Sequence, residues 1–472
     1  MVQSGEKIID RGEIVSAETY RILNSLEKVS REQNASKVEI IYQSIGSTIL
    51  IFLLIAAFML YLMYFRPREY SSKKTIFFML LLITTICVVT GVTVGYKMFS
   101  YIYMIPFAIP LILIRTFVDS RTAFMAYLVT ILICAMMVPL PAEFLMLQIP
   151  IGFTCIFTLT NLTERSQLLK TSFFIFLTYA VVYTSYVLCQ GGDWTHINPK
   201  TYLSFGINFV FIMFSYLLVY ICEKTFGFLS GVTLVELSNI DKPLLRKLSE
   251  VAPGTFQHSL QVSNLATAVA TRINANAALV RTGALYHDIG KMTNPAFFTE
   301  NQQPGMNPHE KLSNKESAKI IISHVTEGVK IAEKNGLPKQ IIDFILTHHG
   351  KGKTKYFYIS EKNKFPDEII NEEDFTYPGP NPYSKETAIL MMADTVEAAS
   401  RSLHEYTEES LKNLIDKLID SIMTDGLLKN APITFLDIDI AKEVFLEKLK
   451  TIYHTRISYP ELVKKEEEGS RQ

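Results

Sequence analysis

The hexapeptide Tyr286-His287-Asp288-Ile289-Gly290-Lys291 sets an imidazole directly beside a carboxylate. That is the mixed nitrogen and oxygen ligation that borderline divalent metals accept. A lone His-Asp pair arises by chance in many chains, so its meaning rests on its company. Apolar residues from Ala277 to Tyr286 predict a helix that delivers the pair to an interior. His258 lies in Pro253-Gly254-Thr255-Phe256-Gln257-His258-Ser259, at the start of a helix predicted for Leu260 to Ile273. His324 sits in the apolar run Ile320-Ile321-Ile322-Ser323-His324-Val325, within a predicted helix from Leu312 to Asn335. His348-His349-Gly350 closes a helix over Gln340 to Thr347, and Asp394 interrupts Leu390-Met391-Met392-Ala393 in a helix over Lys385 to Leu403.

Taken singly, each has a bland reading: a core histidine with a satisfied ring, or an aspartate that caps or pairs. Jointly they weigh differently. Ionisable groups embedded in apolar helices need compensation, because a buried unpaired charge is very costly. A shared metal centre compensates all of them at once. Five imidazoles and two carboxylates (His258, His287, Asp288, His324, His348, His349 and Asp394) suit two divalent ions better than one, with Asp288 as the natural bridge. Two ions ~3.5–4 Å apart hold a bridging hydroxide as nucleophile and polarise a phosphoryl group for in-line attack. Mn or Fe fits this ligation best, and tetrahedral thiolate zinc is excluded. Lys291, one helical turn beyond Asp288, shares its face and is placed to neutralise a phosphate oxygen; an ordinary surface lysine is the competing reading.

Within the 472 residues, Lys+Arg and Asp+Glu both total 46, so net charge is zero and nothing points to a nucleic-acid polymer as partner. Polarity is unevenly spread. Residues 45–230 are overwhelmingly apolar, whereas 231–472 have the mixed composition of a soluble domain. The five cysteines (Cys87, Cys134, Cys155, Cys189, Cys222) are scattered singly through the apolar half, as small hydrophobes rather than disulfides or ligands. Seven apolar runs, 44–65, 75–96, 101–118, 122–140, 143–161, 171–190 and 202–223, are each about long enough to cross a ~30 Å hydrocarbon core. Pro106, Pro110, Pro139, Pro141 and Pro150 blur their boundaries. Alternate loops carry Arg66, Arg68, Lys73, Lys74, Arg115, Arg121, Arg165 and Lys170 against only Lys97 and Lys200. That bias places the N-terminus outside and everything after about 224 in the cytoplasm. The spans lack a mid-membrane Asp, Glu, Lys or His, which argues against a pump or transporter.

The chain therefore divides into 1–41, a polar remnant of an N-terminal extracellular domain; 42–224, the seven-transmembrane region; 225–247, a juxtamembrane connector; and 248–472, a soluble all-helical domain. The polar start reads as the end of something larger. Further helices are predicted over Glu408 to Ser421 and Ile438 to Tyr453. Lys355-Tyr356-Phe357-Tyr358-Ile359 alone tempts a strand assignment, residues 363–382 with four prolines read as irregular, and Lys464 to Glu468 reads as a solvated tail.

The order His258, His287-Asp288, His324, His348-His349, Asp394 resembles the two-metal HD-domain phosphohydrolases. Seven membrane helices joined to an all-α HD domain resemble, more narrowly, the PgpH-type cyclic di-AMP phosphodiesterases, the 7TM-HD family of bacteria. The supporting stretches are Ala252 to Leu260, Tyr286 to Lys291, Asn307 to Ser313, Ile322 to Val325, Tyr377-Pro378-Gly379-Pro380 and Ala393 to Ala398. The resemblance implies one ion on His258, His287, Asp288 and Asp394, and a second on Asp288, His324, His348 and His349. It implies hydrolysis of cyclic di-AMP to linear pApA in a multi-pass bacterial cell-membrane protein. Members of that family begin with an extra membrane helix and a large extracellular domain, of which only a tail is expected here. Gln257 stands where the family often has another histidine. Arg401, Tyr356 and Tyr358 are candidates for contact with phosphate or adenine, core packing being the rival reading. Multi-helix receptors often dimerise, so a homodimer is among the expectations.

Three rivals are weaker. Cyclic di-GMP hydrolases of the HD-GYP type follow their double histidine with Glu and a Gly-Tyr-Pro, whereas His348-His349 is followed by Gly350-Lys351-Gly352-Lys353-Thr354. Other nucleotide phosphohydrolases are seldom fused to membrane helices. An idle HD receptor module would have lost ligands, and every expected position is filled.

Overall fold

Proline, capping side chains and apolar periodicity decide where each helix starts and stops. The computed structural model describes residues 7–453 except 11, 35, 36, 160, 161, 163, 192, 304 and 404. The tail at Lys464 to Glu468 and the start at Ser4 to Glu6 lie outside the described residues. The described chain is helical, with no strand and one isolated bridge, Lys353 to Thr376. It forms two compact units, Met1–Phe228 and Leu229–Gln472.

In the first unit each of the seven apolar runs contains a helix among its described residues. Ile41–Phe65, Lys73–Gly95, Pro141–Thr158, Ser166–Gly191 and Pro199–Phe226 are long and apolar enough to cross a membrane. Tyr101–Phe117 and Ser120–Ala135 are apolar but shorter. Sixteen residues of helix, as in Ser120–Ala135, reach only ~24 Å at 1.5 Å per residue. The shortening has local causes. Phe99–Met104 is a 3₁₀ turn, and the regular helix resumes only at Ala108 after Pro106, which has no N–H to give. Asn208 donates to the carbonyls of Tyr103 and Ile105 at that break, at 3.0 and 2.9 Å. Each of those groups, left unsatisfied in lipid, would cost several kcal/mol. Asp119 caps the next helix, its side chain accepting from the Arg121 and Thr122 amides. Gln148, buried in an apolar helix, is likewise partnered: Tyr127 Oη donates to its side-chain oxygen at 3.0 Å, and its amide nitrogen donates to Tyr179 Oη at 2.9 Å. Gly227, left-handed at φ 65°, ends the last helix.

The second unit packs eight main helices: Pro253–Arg272, Ala277–Tyr286, Asn314–Lys334, Lys339–Thr347, Lys355–Lys364, Lys385–Ser400, Glu408–Thr424 and Phe435–Ile452. The His258 helix starts at Pro253, earlier than the expected Leu260, because proline suits the first helical position. Capping boxes at Ser313 with Glu316 and at Ser384 with Thr387 set the first turns of the His324 and Asp394 helices. One apolar core gathers Val262, Leu265, Val269, Leu390, Met392, Val396, Ile415, Ile419 and Phe445. A second gathers Leu245, Leu248, Leu285, Tyr286, Ile289, Ile341 and Ile345. Tyr286 and Ile289 thus anchor the His-Asp pair from either side.

One expectation changes. The tempting strand at Lys355 to Ile359 is the first half of the helix Lys355–Lys364. Its aromatic and β-branched residues suit any half-buried surface, and here they pack beside the His324 helix, with Asn314 Nδ2 donating to Glu361 at 2.8 Å. The segment assigned as a connector is largely helical. Beyond Phe228 it folds as Gly231–Leu237 and Pro243–Val251, and Leu234, Leu244 and Leu245 enter the second core. Tyr286 Oη donates to the Leu237 carbonyl at 2.9 Å, which ties this segment to the residue before His287.

Gly290 permits the closest approach in the unit. A Cβ there would lie 1.8 Å from the His324 carbonyl oxygen and 2.6 Å from the Gly328 nitrogen. Backbone meets backbone, so no side-chain rotation relieves the clash. Gly290→Ala is expected to cost about 3 kcal/mol or more, the upper range for overpacking, and to lower the Tm of this unit by roughly 6–12 °C. A thermal melt with an unchanged midpoint would contradict this packing.

Candidate metal centre

Helices of the second unit bring the seven candidate ligands together. Asp288 follows the Ala277–Tyr286 helix and begins a 3₁₀ turn, Ile289–Thr293, with its carboxylate at the middle of the site. Asp288 Oδ2 lies 3.3 Å from His287 Nε2 and 3.6 Å from His258 Nε2. Its other oxygen, Oδ1, lies 3.4 Å from His324 Nε2 and 3.6 Å from His348 Nε2. Asp394 Oδ1 approaches His258 Nε2 at 2.9 Å and His287 Nε2 at 3.5 Å. Two sets result, His258, His287 and Asp394 on one side and His324, His348 and His349 on the other, each with donor atoms within 4.8 Å of one another. Asp288 turns one oxygen toward each.

The imidazoles are oriented from behind. His287, His324 and His348 each donate from Nδ1 to the carbonyl three residues earlier, at 2.7, 2.5 and 2.8 Å. That bond leaves Nε2 directed inward, the nitrogen a metal ligand offers once it carries no proton. His258 differs, its Nδ1 lying 2.5 Å from Glu397 Oε2. His349 is the most open of the set and stacks on Tyr377 with ring centroids 4.3 Å apart.

The donor set fits divalent cations. Buried His287 Nε2 and Asp288 Oδ1 have no hydrogen-bond partner among the described residues. Orphaned buried polar atoms cost about 1–3 kcal/mol each, and here both face the two donor sets. Electrostatics follow from the crowding. Burial alone would raise Asp288 and Asp394, but neighbouring His287 and, respectively, Lys291 and His258 outweigh it and hold both well below the usual carboxylate range. Burial pushes His324 and His348 down, so both stay neutral. Burial also works against His287, yet the adjoining Asp288 and Asp394 push it up to about 10.

Lys291 is no ordinary surface lysine. Its ammonium sits 2.8 Å from both Asp288 Oδ2 and Glu300 Oε1, over the Phe298 ring. Arg401 bonds Glu397 through Nε at 2.9 Å. A cavity of about 370 Å³ opens onto His258, Asp288, Lys291, His349, Asp394 and Arg401, within the size range of small-molecule sites. Tyr358 is not brought to it. Its exposed hydroxyl donates to Glu372 at 2.8 Å, its ring packs on Phe375, and it does not line the cavity. Tyr356 is largely exposed as well. Sequence reasoning gave no role to Glu300, nor to Glu397 and Tyr377, although both lie in stretches that carry the resemblance. Glu397, three residues after Asp394 in an apolar helix, carried the same signal as the ligands, a buried carboxylate without an obvious partner. Glu300 and Tyr377 lie in irregular segments, where no periodicity marks them.

Comparison with known proteins agrees with this geometry. Residues 41–230 match the family described as 7TM receptor with intracellular HD hydrolase, and residues 255–399 match the HD domain. The cyclic-di-AMP phosphodiesterase PgpH of Bacillus subtilis is 32% identical over 478 residues, covering 98% of this chain and 66% of that protein. The PgpH phosphodiesterase of Listeria monocytogenes is 32% identical over 474 residues, covering 98% and 64%. The chain thus spans a little under two-thirds of the length of these curated relatives. The crystal structure of the L. monocytogenes PgpH HD domain in complex with cyclic-di-AMP is 44% identical, covers 46% of this chain and 100% of that one, and gives a TM-score of 0.44. With membrane helices and HD domain matched in this order, the chain belongs to the 7TM-HD family.

Proposed function

We propose that this chain is a membrane-bound, metal-dependent phosphodiesterase that hydrolyses cyclic di-AMP to pApA. The observation that carries the reading is Asp288, a buried carboxylate with one oxygen toward each of two ligand sets. We take the cofactor to be two divalent ions, Mn or Fe. His258, His287 and Asp394 would hold one, His324, His348 and His349 the other, with Asp288 shared. Such ions supply Lewis-acid polarisation of the phosphoryl group and acidify a water into a nucleophile near neutral pH. The chain's own residues do the rest. Lys291 fixes Asp288 Oδ2 through an ion pair and keeps a further ammonium N–H for a phosphate oxygen, since it lines the cavity. Arg401, held by Glu397 at the same cavity, is placed for the other phosphate oxygens. Substrate identity rests on what the relatives' names say of those proteins. The basic residues of alternate loops favour an HD domain in the cytoplasm, where a nucleotide messenger would be met.

Detergent-solubilised protein with Mn and cyclic di-AMP is expected to yield pApA, and cyclic di-GMP to turn over more slowly. His287→Ala with Asp288→Ala should abolish the reaction, well beyond the ~10–100-fold loss typical of an outer-shell residue. Equal turnover by the double variant would refute the assignment. Faster hydrolysis of cyclic di-GMP would refute the substrate.

The raised His287 adds a pH prediction. Without metal this ring keeps its proton at neutral pH, and a cation must displace it. Mn affinity should therefore climb as pH rises from 6 to 8, with net proton release. Calorimetry in two buffers of different ionisation enthalpy reads the proton count; an affinity independent of pH would contradict the coupling.

A further inference from the structure

We propose that Glu397 is a positioning residue that strengthens His258 as a metal ligand and, through Arg401, ties that ligand to the substrate phosphate. The inference rests on the two-ion reading above and deepens it. Three of the imidazoles lean on backbone carbonyls of their own segments, which are neutral acceptors. His258 alone leans on a carboxylate, at 2.5 Å. Glu397 is only 4% exposed, and a carboxylate can only accept, so His258 carries its proton on Nδ1 and turns Nε2 toward Asp394 and Asp288.

Helical spacing makes the arrangement. Asp394, Glu397 and Arg401 stand at i, i+3 and i+7, on one face of the Lys385–Ser400 helix and its C-terminal residue. Glu397 Oε2 serves His258 while Oε1 accepts from Arg401. One buried carboxylate thus fixes both a ligand ring and a guanidinium at the cavity wall.

The two metal sets are therefore unequal. A carboxylate behind an imidazole raises its basicity and holds its ring in register. The His258, His287 and Asp394 set has that support, and the His324, His348 and His349 set has only carbonyls behind two of its rings. The His258 set should bind more tightly and fill first. A rival account makes Glu397 merely the salt-bridge partner of Arg401. The two differ in what Arg401→Ala does, because that variant breaks the salt bridge and leaves the His258 contact.

The test is Mn titration of the full detergent-solubilised chain, with free Mn read by electron paramagnetic resonance. Wild type should show a tight and a weaker class. Glu397→Gln should weaken the tight class by about 10–100-fold and leave the weaker class unchanged. Arg401→Ala should leave both classes intact while raising KM for cyclic di-AMP. Glu397→Gln with unaltered Mn binding, or Arg401→Ala reproducing the Mn defect, would overturn the proposal. Should Glu397→Gln fail to fold, anomalous diffraction from wild type at one equivalent of Mn decides: density first at the His258 set supports the proposal, and density first at the His324 set overturns it. A single class in wild type would count against the two-ion reading instead. The comparison with Glu397→Gln would still tell whether that class depends on the carboxylate.

Discussion

A buried carboxylate, with imidazoles on both of its oxygens, is the constraint that the second unit is built to meet. Asp288 is 1% exposed. An isolated buried carboxylate is penalised heavily, and it persists only where cations or donors surround it. Lys291 and the Asp288-facing rings provide part of that surrounding within the chain. The orphaned His287 Nε2 and Asp288 Oδ1 mark where the chain's own atoms stop compensating. Much of the local architecture follows from this. Gly290 brings the 3₁₀ turn against the His324 backbone, and Tyr286 and Ile289 lock it into the second core.

The candidate site was unusually legible because its residues contradict their surroundings. His324 in an isoleucine run and Asp394 among methionines break the apolar pattern of buried helices, and such breaks demand a reason. The seven candidate ligands share that property. Lys291 was also marked, by its distance of one turn from Asp288. Arg401 was named as a candidate contact for phosphate or adenine, and it lines the cavity. Tyr358 was named on chemistry alone, with no pattern behind it, and the structure ties it to Glu372 instead. Glu397 was passed over although it breaks the same helix, because a glutamate invites a surface reading that a histidine does not.

The fold was legible where periodicity was strong and blurred where proline or aromatic residues intervened. Seven apolar runs became seven helical segments, but the break at Pro106 shortened one, and another stops at Ala135. The strand-like Lys355 to Ile359 became helix because its composition reports a half-buried surface rather than a backbone preference. Polar residues inside the membrane unit, such as Gln148 with Tyr127 and Tyr179, looked unremarkable in sequence. Their role as mutual hydrogen-bond partners depends on three helices meeting, which no local pattern encodes.

Shared ligation by Asp288 is the central claim, and metal content tests it most directly. Elemental analysis of the Mn-loaded full chain after gel filtration should find about two ions per wild-type molecule. Asp394→Ala, whose carboxylate is a candidate ligand of the His258 set alone, should retain about one, and Asp288→Ala should fall below one because both sets lose an oxygen. An Asp288→Ala chain that still held two ions, or that behaved like Asp394→Ala, would show that the carboxylate is not the bridge.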